Sequence, residues 1–479
     1  MIRKILLSFL LICISASVVA KSEGIKTDED NNSIEICDAF ELSAEQCEFL
    51  SNYILSKNSL YSMNSEATNK NPFDGYKTNS FTSGSSTDQT AWFGYKAGGD
   101  NGLTCDDDCP YHTAIGNFAM NNVTGGSYST ALGQGALRYG TSSPTYLTAI
   151  GAEALARATG RDNVAVGVSA HERGSGSYSV AVGNYALYEP DSGAYNVAIG
   201  YQAQRESTGS NNVSLGYEAG YKVGSENVMV GYQAGRVFTG DSSVGVGYYA
   251  LRLLESGEDN TGIGFRALGN NLTNASDNTA LGANAGYYVG GSQNTAIGSE
   301  ALYGSTANTS SRNTAIGYRS LFSNSSGHYN VAVGWQSMVD NTTGIGNVAL
   351  GMSALQYNTT GNDNVAIGQR ALDSNSTGGL NTALGYFAGT ANTTGSNNVF
   401  IGNAAGNNNS GGHTGHTGSD SYKLYIATDS KYLISGDFSS GDLNLGQTSG
   451  TVSILNALSV AAELYIGDTA LTNDNGTLK

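Results

Sequence analysis

The nine residues "NTAIGYRSL" (313–321) are nearly repeated by "NVAVGWQSM" (330–338), seventeen positions further on. A fixed period has to be settled first, because it changes the fold against which every other signal is read. Aligned on its glycine, the phrase recurs eighteen times between Gly116 and Gly402, at steps of fifteen to nineteen residues. "TAWFG", ending at Gly94, reads as a degenerate first copy.

The columns of this alignment carry the physics. The residue before the glycine is always Ile, Leu or Val, and the residue three before it is always Thr or Val. Between them stands a small residue, usually Ala, with Met229 and Phe400 as exceptions. Asn stands four before the glycine in thirteen of the eighteen copies, so that column has a job beyond filling a loop. Three after the glycine comes Ala, replaced only by Ser320 and Ser337. Alternation of β-branched and small residues has period two, so each phrase predicts a short strand. The Thr/Val and Ile/Leu/Val columns are expected inside, which puts Ile316 in the interior. The small residue then faces outward, where it would let a second layer or subunit approach closely.

A strand this short cannot bury a face alone, so the copies are expected to stack. About seventeen residues accommodate two short strands and two turns. The rungs then pile up as a parallel β-solenoid of about eighteen rungs, rising about 4.8 Å each over a rod on the order of 85 Å. Glycine lets the chain turn without a Cβ penalty. The Asn column has two readings: a hydrogen-bonded ladder of the kind stacked strands allow, or local turn geometry. Asn324, in a loop, is expected to tolerate change.

The regions around residues 91–406 differ in composition. Residues 1–20 have Arg3 and Lys4, an apolar run and then small residues, which is the pattern of a secretory signal. Cys13 follows the bulky Ile12, so lipidation is not expected. In residues 21–90, Ser43 and Gln46 form a capping box, and Phe49, Leu50, Ile54 and Leu55 form a helical stripe. This predicts a short helical cap on the solenoid end. "NNNSGGHTGHTGSDS" (407–421) reads as a flexible linker, and residues 422–479 as a separate small β module.

The formal charge is −17. An acidic chain without basic clusters argues against nucleic-acid and anionic-membrane partners. With export, Cys37 with Cys47 and Cys105 with Cys109 are expected as two local disulfides. Cys105, Cys109 and His112 fall one ligand short of a metal site. The "NTT" triplets at 341, 358 and 392 match the glycosylation acceptor pattern and are read as exposed turns.

Catalytic motifs are missing. There is no GxSxG, no HExxH and no phosphate-binding GK pair. "GVGYYA" (245–250) and "GIGFRA" (262–267) imitate a dinucleotide fingerprint, but both are the repeat in register with no helix following. No catalytic, cofactor-binding or metal residue is assigned, no cofactor is expected, and the chain is read as a non-enzyme. The candidate binding feature is instead one column. One residue after the glycine, five consecutive copies carry Tyr201, Tyr217, Tyr232, Tyr248 and Phe265, an outward aromatic stripe at rung spacing.

The phrase N-[TV]-A-[ILV]-G-x-x-A closely resembles the YadA-like head repeat of trimeric autotransporter adhesins, over residues 91–406. The resemblance implies a left-handed β-roll, a homotrimer and attachment to host, matrix or abiotic surfaces. The family's neck, heptad stalk and membrane-barrel strands have no counterpart, so a separate membrane-anchor protein is a further expected partner. The reading is a secreted or cell-surface adhesin-like fibre. A purely structural extracellular fibre and a phage-tail-fibre-like receptor binder are the alternatives. Ice binding by a Thr ladder is disfavoured, because a mixed Thr/Val column suits a buried face.

Overall fold

The computed structural model describes residues 91–98, 111–123, 126–139, 145–189, 193–270, 274–305, 308–407, 416–428 and 431–445, together with three short strands between 463 and 478. The chain divides into two units, Met1–Asp74 and Gly75–Lys479, and every described residue lies in the second. The expected N-terminal helix, His413 and Cys37, Cys47, Cys105 and Cys109 lie outside the described residues.

The described chain is all β, a parallel β-solenoid. A 22-stranded sheet runs along it. From Ala91–Phe93 to Val399–Ile401, each glycine-anchored phrase supplies one three-residue strand, paired in parallel and in register with the next. Thr314, Ala315 and Ile316 thus face Val331, Ala332 and Val333. The degenerate phrase at Gly94 is a rung too, paired with Thr113–Ile115. Among the described residues, the expected second strand per coil forms only on two neighbouring coils, where Lys222–Val223 pairs with Val237–Phe238. Elsewhere the rest of the coil is turns, yet the turns also hydrogen-bond from rung to rung. Leu321 N donates to Ser337 O at 3.0 Å and Thr342 N to Thr359 O at 3.0 Å. Backbone groups are therefore satisfied around the perimeter, as a stack without side edges requires.

The strand faces are inverted relative to expectation. The central alanines, such as Ala315, Ala332 and Ala349, are fully buried. The Ile/Leu/Val column is partly to substantially exposed, reaching 48 % at Leu384. Ile316 is only half-buried. The reason is space. The coil's interior is filled from the opposite wall by residues three and four after the glycine, such as Ala354 and Leu355 or Ala371 and Leu372, all fully buried. Facing a leucine, the strand has room for a methyl group and none for a β-branched side chain.

Exceptions to the alanine column confirm this volume rule. Where Met229 and Phe400 stand mid-strand, the leucine position of the same or adjoining rung becomes glycine. A Cβ on Gly235 would lie 2.4 Å from Met229 Sδ, and one on Gly406 would lie 2.4 Å from Phe400 Cδ1. Large and small are exchanged across the coil, keeping the volume constant.

The corners need left-handed backbone. Gly317 has φ +127°, and a Cβ there would sit 2.4 Å from Gly334 O on the next rung. Two further corners are left-handed without glycine, as at Arg319 (φ 55°) and Leu321 (φ 50°). That conformation costs about 1–2 kcal/mol per residue. Burying a leucine, worth about 1.5–3 kcal/mol, offsets it.

The Asn column is a ladder. Asn330 N donates to Asn313 Oδ1 at 3.0 Å, and Asn330 Nδ2 donates to Gly344 O at 2.8 Å. His112 occupies the same column and accepts from Ser129 N through Nδ1 at 3.3 Å, so that nitrogen already has a structural donor. A second ladder runs through Asn324, Asn341, Asn358, Asn375 and Asn392, all fully buried. Asn341 Nδ2 bonds Asn324 Oδ1 and Gly344 O, both at 3.1 Å. The Gly344 carbonyl thereby ties the two ladders together. This corrects two expectations. Asn324 is not in a tolerant loop, and the "NTT" asparagines at 341, 358 and 392 are interior. The triplet repeats because its next residue builds a hydroxyl ladder, as where Thr342 Oγ1 donates to Thr359 O at 2.9 Å.

The C-terminal boundary also moves. Lys423–Thr428 pairs in parallel with Val399–Ile401 and then antiparallel with Lys431–Asp437, so this hairpin continues the solenoid's sheet. Of the expected linker, His416 is buried against Phe400 and Tyr425 at ring distances of 5.1 and 5.6 Å. His416 Nε2 lies 3.1 Å from Asn392 Oδ1, ending the second Asn ladder.

Candidate functional site

Glycine turns the chain out of the sheet, so the following column sits on an outer corner. There Tyr201, Tyr217, Tyr232, Tyr248 and Phe265 stack with ring centroids 5.3, 5.0, 5.1 and 5.4 Å apart. Each is about two-fifths exposed. The rings lie nearly parallel, at 8° between Tyr217 and Tyr232. Their faces are turned to one another, which leaves edges and hydroxyls for solvent.

The neighbouring column holds the hydroxyls in place. Gln202 Nε2 donates to Tyr201 Oη at 3.3 Å. A hydrogen bond to Glu218, with that carboxylate's charge, raises the Tyr217 pKa above its ordinary value. Glu218 in turn takes Arg236 Nε at 2.6 Å and Gln233 Nε2 at 2.8 Å.

Two features escaped the sequence reading. The first is another aromatic column, five residues before the glycine. Tyr111, Tyr128 and Tyr146 stack at 4.8 and 5.2 Å, and Tyr178 and Tyr195 at 5.0 Å, with substantial exposure. The signal was present as a tyrosine five before Gly116, Gly133, Gly151, Gly183 and Gly200. The second feature alternates arginine with aromatic rings two to six residues after the glycine. Arg173 and Arg205 flank the Tyr188 ring at 5.1 and 5.5 Å, and Arg205 and Arg236 flank Tyr221 at 5.8 and 5.5 Å. Arg138 and Arg157 flank Tyr139 in the same way, as do Arg252 and Arg266 on Tyr249. Aromatic and cationic residues fall at slightly different offsets, so this ladder appears only once rungs are stacked.

The remaining features are modest. An open groove of ≈ 310 Å³ is lined by Gln293, Arg312, His328, Tyr329 and two serines. Among the described residues, no group of three or more His, Cys, Asp or Glu is placed to hold a metal ion. Among the described residues, no helix is long and apolar enough to cross a membrane. The Thr/Val column lies on the outer strand face and is partly to substantially exposed, not buried as expected. Its mixture of Thr and Val still interrupts any regular hydroxyl array.

Comparison with family models, curated proteins and solved structures finds no match to this chain.

Proposed function

We propose that this chain is an exported, adhesin-like fibre that works as a homotrimer. The observation that carries the reading is the outer strand face. Ile115, Leu132, Leu215, Leu281, Leu350 and Leu384 are each exposed by 36 % or more along one unbroken sheet. An apolar stripe running along a sheet is the kind of exposed surface that commonly serves as an interface. A flat, in-register face offers identical copies the same surface along the whole rod. The trimer seam is thus assigned to the Ile/Leu/Val column, in place of the alanine column first expected to make that contact.

The repeat's resemblance to YadA-like heads and the secretory pattern at residues 1–20 support the same reading. No catalytic constellation competes with it among the described residues. A rod braced on all sides by ladders also suits a purely structural fibre, and binding separates the two readings.

Sedimentation equilibrium of the mature protein at micromolar concentration is expected to give three times the chain mass. Immobilised protein is expected to retain cells or coated surfaces. A monomer overturns the trimer, and a trimer that retains nothing identifies a structural fibre.

A further inference from the structure

Positive charge on this acidic rod is concentrated on one side. Nine of the eleven described arginines stand two, five or six residues after the glycine. The columns five and six before it carry Asp162, Glu226, Asp241, Glu258, Asp259, Asp277 and Asp363, with Arg161 and Arg312 the two cations among them. Each of these nine arginines lies over at least one ring, for example Arg252 over Tyr249 at 4.2 Å and Arg370 over Phe387 at 4.8 Å.

Carboxylates share this side, but the close ones hold one edge of the guanidinium. Glu218, Glu300 and Asp373 meet Nε of Arg236, Arg319 and Arg370 at 2.6–2.8 Å. Gln233 accepts from Arg252 Nε at 3.1 Å. Glu172 and Glu189 stand 3.8 Å from Arg173, and Glu206 stands 4.0 Å from Arg205. Arg205 Nη1 is turned to Tyr221 Oη at 2.7 Å. At Arg236, Arg252, Arg319 and Arg370, by contrast, a ring and an Nε contact fix the flat group, so the terminal nitrogens are pre-oriented toward an outside acceptor. This is the fork that pairs with carboxylate or sulfate.

Spacing selects the kind of acceptor. Along Arg173, Tyr188, Arg205, Tyr221 and Arg236, an arginine recurs every second rung, about 9.6 Å apart at 4.8 Å per rung. On either side, at Arg138, Arg157 and Arg173 and at Arg236, Arg252 and Arg266, it recurs on successive rungs. Duplex nucleic acid carries a charge about every 1.7 Å of axis. So dense a polyanion would leave most of its charge unmatched and would meet the acidic flank. A linear acidic polysaccharide with one carboxylate or sulfate per disaccharide is sparse enough to match. It is also extended enough to lie along the rod.

We propose that the arginine–aromatic side of the solenoid binds such a sparsely charged acidic polysaccharide lengthwise. The inference rests on the attachment reading and names its ligand class, but it depends on neither the trimer nor adhesion to any particular cell.

The test uses purified full-length protein and hyaluronan as probe, with neutral dextran and duplex DNA as controls. Hyaluronan is expected to bind, to be released by salt, and to outcompete both controls. R157Q/R252Q/R266Q is expected to weaken binding at least tenfold while melting temperature and assembly mass stay unchanged. These three arginines have no carboxylate within 4.0 Å among the described residues. Should the triple variant melt early, the exposed R157Q alone carries the comparison. Lysine at the three positions is expected to restore part of the affinity, because charge returns without the fork. Absent hyaluronan binding, equal binding by the triple variant, equal retention of dextran, or preference for DNA would each overturn the proposal. Cell adhesion that survives such a result would leave the attachment reading standing with another ligand.

Discussion

At the scale of single residues, the repeat is enforced by atoms that have nowhere else to go. Gly317 combines φ +127° with a neighbour's carbonyl 2.4 Å from any Cβ. Gly317→Ala is therefore expected to cost at least about 2 kcal/mol, from strain alone about 1–3, and denaturant titration would show it. Asn341 is fully buried with its amide nitrogen bonded to two oxygens. Asn341→Asp turns that donor into a third acceptor and buries a charge. Its folded-state pKa should rise, so the penalty is absent below the ordinary Asp range and grows as pH climbs through it. Titrations at pH 4 and pH 7 should thus differ more for this variant than for the wild type. His171 and His416 act in the other direction, since burial lowers both pKa values to about 4. Unfolding lets them take up protons near their ordinary value of 6.5. Stability should therefore fall as pH drops from about 6.5 to about 4, by up to about 1.4 kcal/mol per unit for each histidine. Thermal melts across that range should flatten in part for His171→Leu.

At the scale of the rung, the decisive fact is which strand face looks inward. Ala315 is fully buried and Ile316 only half-buried. Ala315→Asp is expected to place an unpaired charge in the coil, at a cost of several kcal/mol, and to lower the melting temperature of the rod. Ile316→Asp should leave a folded chain by circular dichroism while weakening the trimer in sedimentation. If Ile316→Asp unfolds the chain and Ala315→Asp does not, the interior has been assigned to the wrong face. The alternation was legible in the sequence. The partner column of leucines at the far corner was not, because residues four after the glycine follow the turn and belong to no strand period. Once the left-handed corners fold them inward, they take the room that β-branched residues would need.

At the scale of the whole rod, stability should behave as a sum of rungs and rung interfaces. Between Asn313 and Asn398 the two ladders recur at a constant separation of seventeen residues. Deleting residues 348–364 removes one period and brings Gly334's rung against Gly368's in the same register. Such a chain is expected to fold with a melting temperature within a few degrees of the parent. Deleting eight residues from the same place throws the Asn ladders, the glycine corners and the interior alanines out of line together. That chain should aggregate or lose its β signal. Survival of both deletions to the same extent would mean that register is set by something other than the ladders.

The sequence alone determined that the chain is a parallel solenoid, roughly how many rungs it has and where the repeats turn. Those properties follow from local chemistry repeated at a fixed step: a glycine, a β-branched alternation and an asparagine at constant offsets. It also placed the Tyr201–Phe265 stripe on the outside, because a column that takes Tyr and Phe in some copies and Asn, Gln, Ser or Ala in others keeps no constant volume, as an interior position must. Only the tertiary structure decided which face of the strand is inside, that the second asparagine column is buried, and that arginines and rings interleave along one side. Each of those depends on the volume left between opposite walls of a coil and on what the next rung places alongside. Neither quantity exists until the rungs are stacked.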